Sequence, residues 1–408
     1  MAKYDQGGGC ACGLKKECDC GSGQADGTPI KKGKTMVKKE KEAKQPKQPK
    51  EDTNKLRARI FANSKLEDTS MLADSIIFQK KDMISTPVPM LNVALSGLFD
   101  GGLLPGTTMV AGPSKHFKSM FGLLLMAAFL DKYKDGVVLF YDSELGAPKQ
   151  YFKIFGIDEK RVIHSPVDVV EDLTHDILNQ VNGIAKGEHV FILIDSIGNL
   201  ASAKEIADAI KGSDKADMTR AKKIKSLFRM ITSKLVLKGI PMVIINHTYQ
   251  TQETYSKDVT GGGTGPIYGA NDIWIIGRQQ DTEGEGADKE LMGFNFVIKI
   301  EKSRTIKEKS KILINVSFNE GIQKWSGLFD LAMEAGVIVS PSKGWYQISQ
   351  DTPKFHRGDV EYDGKFWNQV LKSSELVKFI EDKYKLPDAM IIEEDDILVE
   401  ETTDESVS

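Results

Sequence analysis

Cysteine is nearly absent from this chain of 408 residues. It has four, Cys10, Cys12, Cys18 and Cys20, all in one short stretch, so no disulfide framework staples the body of the fold. Long hydrophobic runs are missing too. The longest nearly uncharged apolar stretch, Met120–Leu130, falls short of the roughly 20 residues that a bilayer-spanning helix needs. Met1–Gln6 opens with Lys3, Tyr4 and Asp5 and has no secretory signal behind it. The expectation is a cytoplasmic protein with no membrane partner. Charge of one sign is also lacking: 55 Lys and Arg face 58 Asp and Glu, a net charge of −3. That excludes a uniformly basic nucleic-acid binder, though not a locally basic one.

The charge is unevenly spread. Residues 31–50 carry nine lysines and two prolines with few large apolar groups, the composition of a disordered basic linker that could touch phosphates non-specifically. Glu393–Ser408 carries eight acidic residues and no basic one. Such a tail is solubilising, or it competes with polyanions for a basic groove. The cysteines, spaced C-x-C-x5-C-x-C, offer four thiolates that a Zn²⁺ could gather, but structural zinc sites favour C-x2-4-C. A reduced thiol tail is the alternative.

Between these ends the pattern is globular. The apolar 40% and charged 28% give ample material for a core. Val137–Ser143, Val190–Ser196 and Met242–Thr248 are short, nearly continuous apolar runs, as expected of strands covered on both faces. Helical stretches separate them, at Ala147–Phe155, Val169–Ala185 and Met218–Leu237. This alternation predicts an α/β core with a mainly parallel twisted sheet and ligands at the carboxyl ends of its strands. Ile273–Ile276, Phe294–Glu301 and Lys311–Phe318 read as an antiparallel continuation, with a hydrophilic insert at Asp281–Lys289. Five segments follow: a disordered Cys/Lys-rich tail (1–50), an N-terminal docking segment (51–90), the core (91–338), a small C-terminal region (339–390) with a helix at Ser374–Tyr384, and an acidic tail (391–408).

The chemistry gathers at predicted strand ends. The strand Thr108–Gly112 leads into Gly112-Pro113-Ser114-Lys115-His116-Phe117-Lys118-Ser119, which is GxxxxGK[ST] with Phe117 in place of the second glycine. A phosphate loop needs backbone N–H groups at a helix N-terminus, a lysine for the β- and γ-phosphates, and a hydroxyl for Mg²⁺. Lys118 and Ser119 supply the last two. Phe117 implies that the turn is made in conformations open to a residue with a Cβ. Asp195 ends the strand FILI and is placed to serve the metal near Ser119. Glu144 and Asp142, at the end of VVLFYDS, both qualify as the carboxylate that activates a water, and alternation along the strand does not separate them.

The order phosphate loop, YDSE, LIDS, INHT, GGGTG and EKSRT resembles the RecA-type recombinases, and within them the phage UvsX-like branch, which shares the GPSK-x-FKS form. The likeness runs from about Pro87 to Tyr346. It implies a RecA-like ATPase core that binds ATP and Mg²⁺, with Glu144 as the water-activating glutamate and Tyr151 stacking on adenine. It puts His247 in the γ-phosphate-sensing position and makes Lys302 and Arg304 cations that reach a neighbouring subunit's ATP. It also implies two DNA-binding loops, Ser202–Lys215 and Tyr249–Gly265. Thr251, Lys257, Gly261, Gly262, Gly263 and Gly265 of the second would contact DNA, and Arg220, Lys223 and Ser226 on the helix Met218–Leu237, which follows the first, are weaker candidates. The implied activity is DNA-stimulated ATP hydrolysis coupled to strand exchange between single-stranded DNA and homologous duplex, in recombination, repair and replication. The implied partners are other copies in a helical filament, a loading or mediator protein, and a single-strand binding protein. A ring helicase of the same fold and a non-catalytic DNA-coating protein are the rival readings.

Overall fold

The computed structural model describes residues 51–75, 82–212, 218–250, 258–260, 264–284, 289–348 and 352–387. The four cysteines, the lysine-rich stretch and the acidic end lie outside the described residues, as do Thr251, Lys257 and Gly261 to Gly263. The chain divides into two units, Met1–Thr69 and Ser70–Ser408. The first contains helix α1 (Glu51–Asn63), whose Leu56, Ile60 and Phe61 are exposed.

The second unit is built on one large sheet. Its strands are β1 (Gly106–Gly112), β2 (Val137–Asp142), β3 (Val162–Pro166), β4 (Val190–Asp195), β5 (Pro241–Gln250), β6 (Asp258–Thr260), β7 (Asp272–Glu283), β8 (Glu290–Lys302), β9 (Lys311–Ser317) and β10 (Gly321–Ile322). They lie in the order β10-β9-β8-β7-β1-β5-β4-β2-β3, with β6 paired to β5. From β3 to β7 every pairing along that order is parallel, and from β7 to β10 every pairing is antiparallel. The predicted core and its antiparallel continuation are both present.

Alternation along the strands sorts the core by face. Val110, Phe140, Leu193 and Ile245 point to the side holding helix α3 (Lys118–Lys132). Tyr141, Ile192, Ile194 and Ile244 point to the side holding α5 (Val170–Gly183) and α7 (Thr219–Lys238). Successive side chains of a strand face opposite ways, so strands buried on both faces read as unbroken apolar runs. Residues at the end of the chain share the α3-side core: Trp367, Val370, Leu376, Ile380 and Tyr384 are buried in it.

Three expectations change. The hydrophilic run at 281–289 is not an insert between strands, because β7 continues to Glu283 and β8 begins at Glu290 in a long hairpin. Ser202–Lys215 is not simply a loop. Its described part holds helix α6 (Ala203–Ile210), where the Ser202 hydroxyl accepts from Glu205 N and the Glu205 carboxylate accepts from Ser202 N. That reciprocal cap satisfies two otherwise unpaired helix N–H groups. Phe117 does not avoid the glycine conformation but adopts it, as described next.

Candidate active site

β1 delivers the phosphate loop and α3 receives it. Lys115 (φ 60°) and Phe117 (φ 61°, ψ 14°) are both left-handed, a conformation that costs a residue with a side chain about 1–2 kcal/mol. The Phe117 ring offsets this by packing. It stacks on Phe296 (centroids 5.0 Å, 27°) and meets Phe121 edge-on at 5.4 Å. Such aromatic pairs contribute about 0.5–1.5 kcal/mol each. The loop therefore keeps the turn a glycine would make, held by a hydrophobic anchor.

Lys118 is buried at the start of α3, and its ammonium donates to the Pro113 carbonyl at 2.8 Å. Burial draws it below its ordinary value, opposed by the Glu144 and Asp195 carboxylates. Ser119 hydrogen-bonds the Asp195 carboxylate. Asp195 is 5% exposed, and its Oδ1 is buried without a partner. Burial, against the pull of Ser119, pushes its carboxyl up to about 6, and Glu144 and Asp142 add to the rise. An orphaned carboxylate oxygen beside a hydroxyl, at the foot of a phosphate loop, is a donor set of hard oxygens that fits Mg²⁺.

Asp142 and Glu144 prove to have different work. Asp142 Oδ1 accepts from Glu144 N (3.1 Å) and Leu145 N (2.7 Å), while His164 Nε2 lies 3.2 Å from Oδ2. Asp142 thus braces the turn. Glu144 projects into the cleft, where its Oε1 lies 2.7 Å from His247 Nε2. That cleft, about 180 Å³, is lined by the phosphate loop, Glu144, Tyr151, Asp195 and His247. Tyr151 stands in the first turn of α4 (Lys149–Ile154), 38% exposed and open to a planar ligand. Sequence reasoning missed Arg278, which donates to the Lys115 carbonyl at 3.2 Å with its guanidinium over Phe294. No local motif marks it, because the parallel pairing of β7 with β1 carries it there.

Lys302 and Arg304 lie elsewhere. Ala111 pairs with Ile275 and Ile275 with Lys299. Lys302 is three residues further down β8, ~10 Å at ~3.3 Å per residue, and on the side away from the phosphate loop. Its ammonium donates to the Ile267 (2.9 Å) and Ala270 (2.7 Å) carbonyls at the end of α8 (Thr264–Gly269). Arg304 is exposed beyond it.

The DNA candidates on α7 separate. The Arg220 guanidinium is turned inward onto the Ile197 and Gly198 carbonyls. Lys223 pairs with Glu171 at 3.8 Å. Ser226 lines a groove of about 560 Å³ between α7 and α8, together with Lys222, Lys225, Arg229 and Gly265. A Cβ on Gly265 would come within 2.6 Å of Lys225 Cα, so this glycine allows the two helices to meet.

A phosphate loop, a buried metal carboxylate and a glutamate–histidine pair at the carboxyl ends of one twisted sheet define a P-loop ATPase core of the RecA type. Residues 325–380 match the family model described as "Bacteriophage T4, Recombination and repair protein, C-terminal domain". The chain is 44% identical over 340 residues to the "Recombination and repair protein" of Enterobacteria phage T4, covering 81% of this chain and 86% of that one. It is 27% identical to the RecA protein of Acidothermus cellulolyticus, covering 66% and 75%, and 23% identical to the chromosomal RecA of Lactococcus lactis subsp. lactis, covering 80% and 81%. The chain belongs to the family of the phage T4 recombination and repair protein, the UvsX branch of the RecA-type recombinases.

Proposed function

We propose that this chain is a DNA-dependent ATPase that polymerises on single-stranded DNA and exchanges that strand with homologous duplex. The observation that carries the reading is the separation of its charges. The cleft holds Lys118, Glu144 and His247 at the carboxyl ends of the strands, while Lys302 stands level with Met109, ~10 Å further down at ~3.3 Å per residue, with Arg304 beyond it. Cations so placed serve a triphosphate bound to the next copy, which makes nucleotide binding and assembly one event.

In this reading Lys118 holds the β- and γ-phosphates, and Ser119 with Asp195 holds Mg²⁺. The bound ion neutralises charge on the transferred phosphoryl group. Glu144 takes the proton of the attacking water, and Asp142 keeps the turn that aims it. His247, hydrogen-bonded to Glu144, reports the γ-phosphate. It precedes the second DNA loop by two residues, so a shift of its ring moves the root of that loop. Tyr151 offers its ring to the base. Arg304, with Lys302, stabilises the developing charge from across the interface.

The groove with Lys222, Lys225, Ser226 and Arg229 supports a path for the phosphate backbone, as do the glycine-rich residues 261–265. Its contacts would be to phosphate and sugar, so binding tolerates sequence. Arg220, bonded inward, holds the base of the first loop instead. Leu56, Ile60 and Phe61 on α1 suit docking onto a neighbouring copy. A loading protein and a single-strand binding protein are the further partners we infer, with action in the cytoplasm. Among the described residues no helix is long and apolar enough to cross a membrane.

The test joins ATP turnover to negative-stain imaging. The intact chain should hydrolyse ATP at least ten times faster with single-stranded DNA and form filaments on it. Lys118→Ala should lose both turnover and strand exchange. A chain that stays monomeric with ATP and DNA present, or a Lys118→Ala variant that still exchanges strands, would overturn the reading.

A further inference from the structure

The turn that carries Glu144 is strained, and packing does little to hold it. Leu145 is left-handed (φ 50°), a conformation that costs a residue with a side chain. Phe117 meets the same cost with ring contacts, but Leu145 is 67% exposed. The turn is therefore held by hydrogen bonds. Ser143 N and Glu144 N donate to the Asp195 carbonyl at 2.8 and 3.4 Å. Glu144 N and Leu145 N donate to Asp142 Oδ1 at 3.1 and 2.7 Å. The N–H of the strained residue thus rests on one side-chain oxygen.

Bonds at one oxygen leave the other free to swing, because the torsion that orients a carboxylate is soft. A contact at Oδ2 is needed to keep Oδ1 on the turn. His164 of β3 makes it, with Nε2 3.2 Å from Oδ2. Strand pairing sets His164 beside Phe140, two residues before Asp142 and on the same face of β2. The His164 and Phe140 rings lie with centroids 5.2 Å apart. The Asp142 side chain is 7% exposed and that of His164 47%, so a donor from the edge of the sheet meets a buried acceptor. His164 does not line the nucleotide cleft. With Asp142 it lines a separate cavity of about 220 Å³, which has only Ala147 in common with that cleft.

We propose that His164 is a positioning residue for ATP hydrolysis: with a proton on Nε2 it holds Asp142, and through Asp142 the turn that aims Glu144 at the attacking water. This role rests on the reading of Glu144 as the group that takes that water's proton. A catalytic group displaced by ~1 Å lowers a rate by up to ~10²-fold. Loss of His164 therefore falls on turnover and spares ATP binding, which the phosphate loop supplies. The Nε2 proton carries the effect, rather than the ring.

The test measures kcat and KM for ATP with the full chain at saturating single-stranded DNA. His164→Gln loses the ring but keeps an N–H near the place of Nε2, and its kcat should stay within about threefold of the intact chain. His164→Phe keeps a ring beside Phe140 but loses the donor, and its kcat should fall at least about tenfold with KM unchanged. His164→Leu loses both and should fall with His164→Phe. A histidine that merely packs gives the reverse order, with His164→Phe near the intact rate and His164→Gln below it. That reverse order, an intact kcat in His164→Phe, or a loss carried by KM would each overturn the proposal. Glu144→Gln separates this role from the reading beneath it. If Glu144→Gln keeps its turnover, Glu144 is not the base and His164 has nothing to aim. If Glu144→Gln is inactive while His164→Phe is not, only the role of His164 fails.

Discussion

The carboxyl ends of β1, β2, β4 and β5 and the far end of β8 are both rich in charge, yet they are organised in opposite ways. At the carboxyl ends, cation and anion already face each other, since Lys118 feels Glu144 and Asp195, and Glu144 also hydrogen-bonds His247. At the far end, two cations, Lys302 and Arg304, stand near one buried carboxylate, Asp272, and Lys302 turns to backbone carbonyls for acceptors. The first end is equipped to bind an anion within one chain. The second has cations beside the Asp272 and Glu308 carboxylates but no phosphate loop of its own. In the proposed reading, an ATPase divided in this way is complete only where two copies meet.

Mixing two variants would break that comparison most decisively. Arg304→Ala alone should lower DNA-stimulated turnover by about 10³-fold, the scale of a missing arginine at a γ-phosphate. Lys118→Ala should be equally inactive. If the cation acts across the interface, an equal mixture should recover about a quarter of the intact rate, because random neighbours pair an intact loop with an intact arginine that often. A mixture as inactive as its parts would place Arg304's role within its own chain and erase the contrast.

A smaller effect sharpens the far end. Burial pushes the Asp272 carboxyl up to about 6 from 3.8, with Ser303, Arg304 and Lys302 pulling it back. Between those values the folded chain holds a proton that the unfolded chain has released, so stability falls as pH rises through the window. A shift of this size corresponds to about 3 kcal/mol. Asp272→Asn removes the titration. The intact chain should therefore lose about 3 kcal/mol relative to this variant between pH 3.5 and pH 7, measured by urea unfolding at each pH. Parallel stability curves would show that the Asp272 carboxylate is not held in a dry setting beside the two cations.

The contrast between the two ends also governs what could be read from the chain. Residues that act at strand ends were legible, because strand, motif and chemistry are adjacent in sequence: Lys118, Ser119, Glu144, Asp195 and His247 all line or meet at one cleft. Asp142 and Glu144 could not be told apart, since both follow the same strand and only the turn's hydrogen bonds distinguish brace from base. Arg278 was invisible, because the parallel pairing of β7 with β1 brings it to a residue 163 positions away. Ser202 and Glu205 were visible as S-x-x-E before a helix, and reading the segment as a loop passed over that signal. Arg220 looked like a surface cation, and only the path of the chain after β4 turns it inward.

Phe117 joins the two ends, and a pair of variants tests how. Its ring stacks on Phe296, which lies on the same strand that ends at Lys302, so the phosphate loop is anchored to the strand carrying the distant cations. Phe117→Gly removes the ring contacts but also the cost of the left-handed backbone. With two aromatic contacts of about 1 kcal/mol each and a strain of about 1 kcal/mol, the net loss should be about 1 kcal/mol. Phe117→Ala loses the contacts and keeps the strain, so it should be about 1 kcal/mol less stable than Phe117→Gly. The order intact, glycine, alanine in urea midpoints is the expected result. If alanine is at least as stable as glycine, the loop does not hold its left-handed turn in the free chain, and the tie between phosphate loop and β8 is not what shapes it.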